Sequence, residues 1–276
     1  MTTKVWFITG TSRGFGRVWA EAALARGDKV AATARAPESV APLVARYGAS
    51  VMPIRLDVTN KAEVDRAVHA AQEAFGRLDV VVNNAGYGLF GAVEEVGEAE
   101  ARAELETNFF GALWVTQAAL PYLREQRSGH FVQVSSVGGV LANANLGLYH
   151  ASKWALEAMA QSLAVEVREF GIKVTIVEPA GYATDWSQSS AVRASPKAAY
   201  APMREARARA LKSRPPPGDP TATAGALLKV VDADEPPLRI FLGDVLDAVR
   251  SEYTQRLAVW ERWNPVSLAA YRPGRS

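Results

Sequence analysis

The sequence predicts an α/β protein: a single domain on a doubly wound parallel sheet of about seven strands, flanked by helices. Three observations predict it. Short apolar runs alternate with helix-length segments over the first 180 residues. Those runs are apolar throughout rather than alternating, as strands covered on both faces are. A glycine-rich turn, Gly10-Thr11-Ser12-Arg13-Gly14-Phe15-Gly16, closes the first run and opens the first helix.

The elements follow in order. Residues 5–9 form the first strand around Val5-Trp6-Phe7-Ile8. Residues 17–26 read as a helix stopped by Gly27. Residues 29–34 and 51–56 are the second and third strands. Asn60 caps a helix through Phe75, in which Val64, Ala67, Val68, Ala71 and Phe75 recur at helical spacing. Residues 78–82 are a valine-rich fourth strand. A long helix spans 100–124, and a fifth strand spans 130–135. A helix carrying Tyr149 and Lys153 runs to about 170, and a sixth strand covers 173–177. The pattern then breaks. Residues 182–222 are rich in Ala, Ser, Arg and Pro and contain Pro215-Pro216-Pro217-Gly218, which fits neither helix interior nor central strand. They read as a loop, helix and loop over the sheet end. Residues 238–242 make a last strand and 244–262 a last helix. One domain over 1–276 thus holds a core at 4–180, a covering segment at 182–222 and a closing part at 238–276.

Composition narrows the function. Lys plus Arg is 31 and Asp plus Glu 29, a net charge of +2, too balanced for a nucleic-acid or membrane-surface partner. With no cysteine, disulfides, thiolate nucleophiles and cysteine-based zinc sites are excluded. The three histidines, His69, His130 and His150, lack ligand spacing, so no metal is expected. No apolar run suits a bilayer span, and the N-terminal run is too short for a signal-peptide core. The cytoplasm is the expected location.

Ligands of open parallel sheets bind outside the carboxyl ends of the strands. There the glycine turn leads into a helix N-terminus, whose amides and dipole favour a phosphate. Gly10, Gly14 and Gly16 let the backbone turn and approach it, with Ser12, Arg13 and Phe15 between them. The segment also fits G-x-S-x-G, the nucleophile elbow of hydrolases. That reading fails on context, because no earlier strand supplies an oxyanion loop and no histidine follows His150. A carboxylate at the end of the second strand would bind the ribose of NAD. Here that strand ends Thr33-Ala34-Arg35, so Arg35, with Arg13, points to the 2′-phosphate of NADP(H).

Tyr149 and Lys153 lie four residues apart, on one face of a helix one turn apart. A free phenol has a pKa of about 10, and a neighbouring ammonium is expected to draw it toward neutrality. The pair is weak evidence alone.

Taken together, Thr9-Gly10-x-x-x-Gly14-x-Gly16, Asn83-Asn84-Ala85-Gly86, Asn108, Ser136, Tyr149-x-x-x-Lys153 and Pro179-Ala180-Gly181 with Thr184 resemble the classical short-chain dehydrogenases/reductases, from residue 4 to about 185. The resemblance implies a Rossmann-type fold and a catalytic set of Asn108, Ser136, Tyr149 and Lys153. Tyr149 is then the acid-base group and Lys153 its electrostatic partner and ribose ligand. Ser136 holds the substrate oxygen, and Asn108 holds a water that links Lys153 to solvent. Asp57 and Val58 meet the adenine. Asn84, Ala85 and Gly86 line the cofactor, while Asn83 ties strands together. Pro179 and Thr184 flank the nicotinamide, and Ala180 replaces the usual first glycine there. Tyr87, Leu89, Phe90, Leu141, Leu146, Tyr182 and Trp186 are candidate pocket residues, suiting a small hydrophobic carbonyl or alcohol. The N-terminal half is similar to the hydroxysteroid and retinol dehydrogenase branch. The aromatics Trp260, Trp263 and Tyr271 either pack the last helix or make a subunit contact in a homodimer or homotetramer. Two other readings share these residues: a non-catalytic NADP sensor on the same fold, and a sugar-nucleotide epimerase or dehydratase. The intact catalytic set argues against the first; the glycine spacing and short C-terminal part argue against the second.

Overall fold

The structure, a computed structural model, describes residues 3–213 and 215–271. Its strands are β1 (Val5–Ile8), β2 (Lys29–Ala34), β3 (Val51–Arg55), β4 (Val80–Asn83), β5 (Leu89–Phe90), β6 (Gly129–Val134), β7 (Ile172–Pro179), β8 (Val192–Arg193) and β9 (Arg239–Leu242). Its helices are α1 (Gly14–Ala25), α2 (Ala41–Tyr47), α3 (Lys61–Phe75), α4 (Glu98–Leu105), α5 (Gly111–Gln126), α6 (Gly147–Glu166), α7 (Ala201–Lys212), α8 (Thr223–Asp232) and α9 (Leu246–Ala270).

Seven strands form one parallel sheet in the order β3-β2-β1-β4-β6-β7-β9. This is the Rossmann-type arrangement. The chain leaves β1 toward β2 and β3, then returns to β4 on the other side. Between β1 and β4 the direction of winding reverses, and a crevice opens at the carboxyl ends there.

The apolar strands are explained by two cores. Val5 and Phe7 point into one, with Val64 and Val68 of α3 and Val115 and Leu123 of α5. Trp6 and Ile8 point into the other, with Trp19 of α1 and Leu227 and Val231 of α8. The period of two along β1 feeds both faces, so every residue of that strand is buried. Helix α3 begins where expected: the Asn60 side chain accepts from Glu63 N at 3.2 Å. It ends at Gly76, whose φ of 78° suits a left-handed cap.

Other elements differ from the expectation. The long helix at 100–124 is interrupted: α4 and α5 are joined by a π-helical turn over Glu106–Phe110. Helices α2 and α8 are additional; α2 carries Pro42 in its first turn, a residue that starts helices as readily as it breaks them. Strands β5 and β8 form a separate parallel pair, so part of 182–222 is held in regular structure. The last helix continues past 262, with Pro265 inside it. The chain divides into one compact unit ending at Gly243 and a second beginning at Asp244. The second is essentially α9, in which Trp260 and Trp263 are each 61% exposed.

Candidate active site

The glycine turn sits at the crevice. Gly10 and Gly14 have φ of 71° and 58°, the left-handed region that suits glycine. At Gly16 a Cβ would come 2.3 Å from Gly10 O, so only glycine lets α1 start this close to β1. Thr11 N donates to Thr33 O at 2.9 Å, fixing the turn beside β2. Arg13, at the N-cap of α1, makes no side-chain capping bond. The first amides of α1 are therefore not claimed by a cap and suit an anion. Asn84 Nδ2 donates to Thr9 O at 2.8 Å and Gly10 O at 3.1 Å, while Thr9 Oγ1 accepts from Asn84 N and Ala85 N, both at 2.9 Å. The side chain of Asn84 thus clamps the turn to the end of β4. Asn83 Nδ2 donates to Thr116 Oγ1 and Gln133 Oε1, each at 3.0 Å, joining β4 to α5 and β6.

Other residues expected to meet a cofactor line the same edge. Ser12 and Arg35 are exposed, and Phe15 is half-buried. Arg13 Nη1 donates to Ser189 Oγ at 3.2 Å, and its Nε lies 4.0 Å from Asp185 Oδ2, so it is engaged by the covering segment. Asp57 Oδ1 accepts from Thr59 N at 3.0 Å and Thr59 Oγ1 at 2.8 Å. Val58 is buried: a Cβ at Gly111 would lie 2.7 Å from its Cγ2, so its side chain packs on the start of α5. Gly86 is exposed, and a Cβ there would stand 2.9 Å from Asn108 Oδ1 and 3.6 Å from Lys153 Nζ. Pro179 ends β7, and Thr184 N donates to Tyr182 O at 2.8 Å.

The expected catalytic residues come together. Asn108 sits in the π turn, which swings it inward, and is 1% exposed. Its Oδ1 accepts from Tyr87 N at 3.0 Å; its Nδ2 lies 3.0 Å from Tyr87 O, 2.9 Å from Glu104 Oε1 and 3.1 Å from Ser152 Oγ. Ser136 follows β6 and accepts from Gly138 N at 3.0 Å; its hydroxyl faces the Tyr149 phenol. On α6, Lys153 Nζ donates to Val134 O at 2.8 Å and lies 5.9 Å from the Tyr149 ring centroid.

Two residues that the sequence reading did not place in the site support this set. His150 Nε2 accepts from Asn143 N at 3.0 Å, so Nδ1 carries the proton toward Gly138 O at 2.9 Å. It ties the loop after Ser136 to the helix of Tyr149. Glu104, one turn before Asn108, is fully buried.

Of the candidate pocket residues, Phe90 and Trp186 face the chemistry. The Trp186 ring is 4.9 Å from that of Tyr149 and 5.3 Å from that of Phe90. Gly88 makes room, since a Cβ there would be 2.6 Å from Trp186. Tyr87 and Leu141 are half-buried. Leu89 and Leu146 are buried in the body, and Tyr182 packs edge-on against Phe15 at 5.2 Å.

Comparison with known proteins agrees with this geometry. The short chain dehydrogenase family matches residues 4–194. The oxidoreductase BOA17 of Botryotinia fuckeliana is 44% identical over 97% of this chain and 99% of its own. The 3-ketodihydrosphingosine reductase of Bacteroides thetaiotaomicron is 38% identical over 68% of each. A short-chain dehydrogenase from Streptomyces avermitilis superposes with a TM-score of 0.91 at 40% identity, covering 98% of this chain and 100% of that one. The chain belongs to the short-chain dehydrogenase family. It is an oxidoreductase of that family. Two further family structures are similar: one from Burkholderia phymatum in complex with NAD (27% identity, TM-score 0.77, 90% and 92% covered), and one from Burkholderia cenocepacia in complex with NADP (26%, 0.76, 94% and 97%).

The electrostatics of this short-chain dehydrogenase correct one expectation. Lys153 was expected to draw the Tyr149 phenol toward neutrality. Instead burial holds that phenol above its ordinary value; the Ser136 hydrogen bond opposes this, and the charge of Glu104 adds to it. Burial in turn pulls Lys153 down to about 8, against Glu104 and Glu157, which favour its charged form. Burial pushes Glu104 up to about 8, with Lys153 as the main opposing influence. Desolvation therefore sets the direction at both Tyr149 and Lys153, and the Trp186 ring lies against the buried Tyr149 ring.

Proposed function

We propose that this oxidoreductase interconverts a hydrophobic ketone or aldehyde with the corresponding alcohol, using NADP(H) in preference to NAD(H). One observation carries the reading. Tyr149 faces the Ser136 hydroxyl and shares its helix face with Lys153, beneath an aromatic wall of Trp186 and Phe90. Tyr149 is then the proton donor to a carbonyl oxygen and its acceptor in reverse. Ser136 holds that oxygen as charge develops. Lys153, set on the Val134 carbonyl, supplies the positive charge, and Asn108 orders the polar end of the pocket. Trp186 and Phe90 favour a flat, apolar substrate body near the reacting carbon. The activity of the Bacteroides reductase, which its name assigns to a long-chain keto compound, is in keeping with this; the hydroxysteroid- and retinol-like branch is another such class.

The cofactor reading rests on residues that fit a dinucleotide. The bare start of α1 and the glycine turn suit its pyrophosphate. Asp57 and the backbone of Val58 suit the adenine, and Ala85, Gly86, Pro179 and Thr184 the nicotinamide side. When bound, the nicotinamide supplies the hydride chemistry. Exposed Arg35, in place of a carboxylate, favours the extra phosphate of NADP; Arg13 joins it on leaving Ser189. Among the described residues no helix is long and apolar enough to cross a membrane. A cytoplasmic enzyme assembled as a homodimer or homotetramer completes the proposal, and sedimentation velocity tests the assembly.

The deciding experiment is a screen of aliphatic, aromatic and steroidal ketones and alcohols with each nicotinamide cofactor, read by absorbance at about 340 nm, where the reduced form absorbs. Turnover of apolar ketones with NADPH above NADH is the expected result. Cofactor binding with no turnover across the panel would replace the enzyme by an NADP sensor.

A further inference from the structure

Glu104 is a buried acidic side chain of the site that the chemistry above does not use. It has no exposed surface. Its Oε1 accepts from Asn108 Nδ2 at 2.9 Å. Its Oε2 is buried without a hydrogen-bond partner. A buried carboxyl is costly unless a charge or full hydrogen bonding compensates it. If its purpose were only to hold Asn108, a glutamine would give the same acceptor with less desolvation. The compensating charge is Lys153 on α6, where α4 and α6 pack together.

We propose that Glu104 is a positioning residue of this site: it fixes the Asn108 carboxamide and couples its own proton to that of Lys153, whose ammonium its charge favours once the carboxyl is ionised. The inference deepens the oxidoreductase reading and rests on it. The groups facing this carboxyl are few. Lys153 and Tyr149 act from α6, and Tyr87 acts from the stretch after β4. On its own helix, Glu100 acts on Tyr87, and Glu157 of α6 adds to the field at Lys153. The pocket thus holds one cation between carboxylates of α4 and α6. The Lys153 ammonium has the neutral Val134 carbonyl as its hydrogen-bond acceptor. Its charge therefore depends on Glu104 and Glu157 rather than on a direct ion pair. Both Tyr149 and Lys153 see Glu104, so its ionisation sets the field in which the proton moves.

The test needs neither substrate nor cofactor. Protein carrying 13C-labelled lysine is titrated from about pH 6 to 11, a range spanning shifted and ordinary lysine values, and the ε-methylene of Lys153 is followed by NMR, with Lys153→Arg giving the assignment. In Glu104→Gln, which keeps an acceptor for Asn108, the Lys153 midpoint should fall by about one unit, the scale of one nearby opposite charge. Glu104→Asp should stay closer to wild type. An unmoved midpoint in a folded Glu104→Gln protein overturns the proposal. Should that variant not fold, the coupling is read from the other partner: Lys153→Met should raise the midpoint of the Glu104 carboxyl carbon, and an unmoved value overturns it equally. For NADPH-dependent turnover of a panel ketone, the alkaline limb of kcat should move with the Lys153 midpoint in Glu104→Gln, while NADPH affinity below neutrality stays within about twofold, the change expected when no contact charge is lost. If wild type turns over nothing, the oxidoreductase reading fails and the titration result stands by itself.

Discussion

At Tyr149 two forces act on one proton. Burial under Trp186 favours the neutral phenol, and the Ser136 bond favours the phenolate. The neutral form prevails, so the group keeps its proton through neutrality. Ketone reduction needs that proton and should hold its rate around neutral pH. Alcohol oxidation needs the phenolate and should accelerate as pH rises. Above about 8 the Lys153 ammonium is lost, so reduction should decline there. Initial rates in both directions against pH check this; oxidation fastest at acid pH would contradict it. Tyr149→Phe keeps the ring and removes the proton, so turnover should drop by about 10² or more, the scale of general acid-base catalysis. NADPH binding, followed by its fluorescence, should persist. Near-normal turnover in a folded Tyr149→Phe protein would remove Tyr149 from the mechanism. A third residue-scale expectation concerns Arg35. Replacing Ala34 by Asp and Arg35 by Gln exchanges a phosphate-binding charge for a ribose-binding one. The ratio of kcat/KM for NADPH over NADH should fall by at least about tenfold, one charge-assisted bond; an unmoved ratio would mean Arg35 does not read the cofactor.

The segments around the site differ in how far the sequence exposes them. The sheet strands were legible because a parallel strand buried on both faces must be apolar throughout, as Val5-Trp6-Phe7-Ile8 is. The glycine turn and the Tyr149–Lys153 pair were legible because local spacing alone places them. The π turn was not: Glu106-Thr107-Asn108-Phe109-Phe110 reads as ordinary helix, and the inserted residue shows only in hydrogen bonding. Glu104 was hidden for a similar reason, since a glutamate on a charged helix looks like a solvated face. The contact of Trp186 with Tyr149 joins residues far apart in sequence and has no local signal. For the covering segment the structure narrows the expectation of a lid. Residues 197–204 are tied down: Lys197 N donates to Glu95 Oε1 at 2.7 Å, Lys197 Nζ pairs with Glu94, and Arg204 pairs with buried Glu95. The stretch 183–191 holds its contacts through Trp186, Arg13–Ser189 and local turns. Limited trypsin digestion should cut within the segment after Arg193 or after Arg207. Saturating NADPH with a ketone analogue should slow cleavage there and shift the Trp186 emission. Cleavage there that ignores both ligands would make the segment a static cover.

The molecule buries titratable carboxyls inside its sheet-and-helix layers, and that sets its stability against pH. Glu104 is one such group. The other is Glu178 on β7, fully buried with neither oxygen hydrogen-bonded. Burial, then the charge of Glu157, pushes it up to about 8, and Arg239 pulls the other way from 3.5 Å. Glu157 on α6 faces it with Arg239 Nε 3.0 Å away, so two carboxyls share one guanidinium. In the unfolded chain each glutamate titrates near its ordinary value of about 4.3. Between that value and about 8 the folded protein holds protons that the unfolded chain releases. Stability must then fall as pH rises through this window, by up to about 1.4 kcal/mol per pH unit for each such group. Lys153 acts in the opposite sense only above about 8, where the folded form has lost a proton that the unfolded chain keeps until about 10.4. The expected result is a melting temperature that declines from about pH 5 to pH 8, with each kcal/mol worth about 2–4 °C in a chain of this size. Glu178→Gln removes one titrating group while keeping its volume, so it should flatten the decline and raise the melting temperature at pH 8 more than at pH 5. Glu104→Gln should do the same at the other carboxyl. A wild-type melting temperature that climbs across this window, with Glu178→Gln running parallel to it, would show that these carboxyls are ionised in the folded protein and that their compensation by Arg239 and Lys153 is stronger than burial.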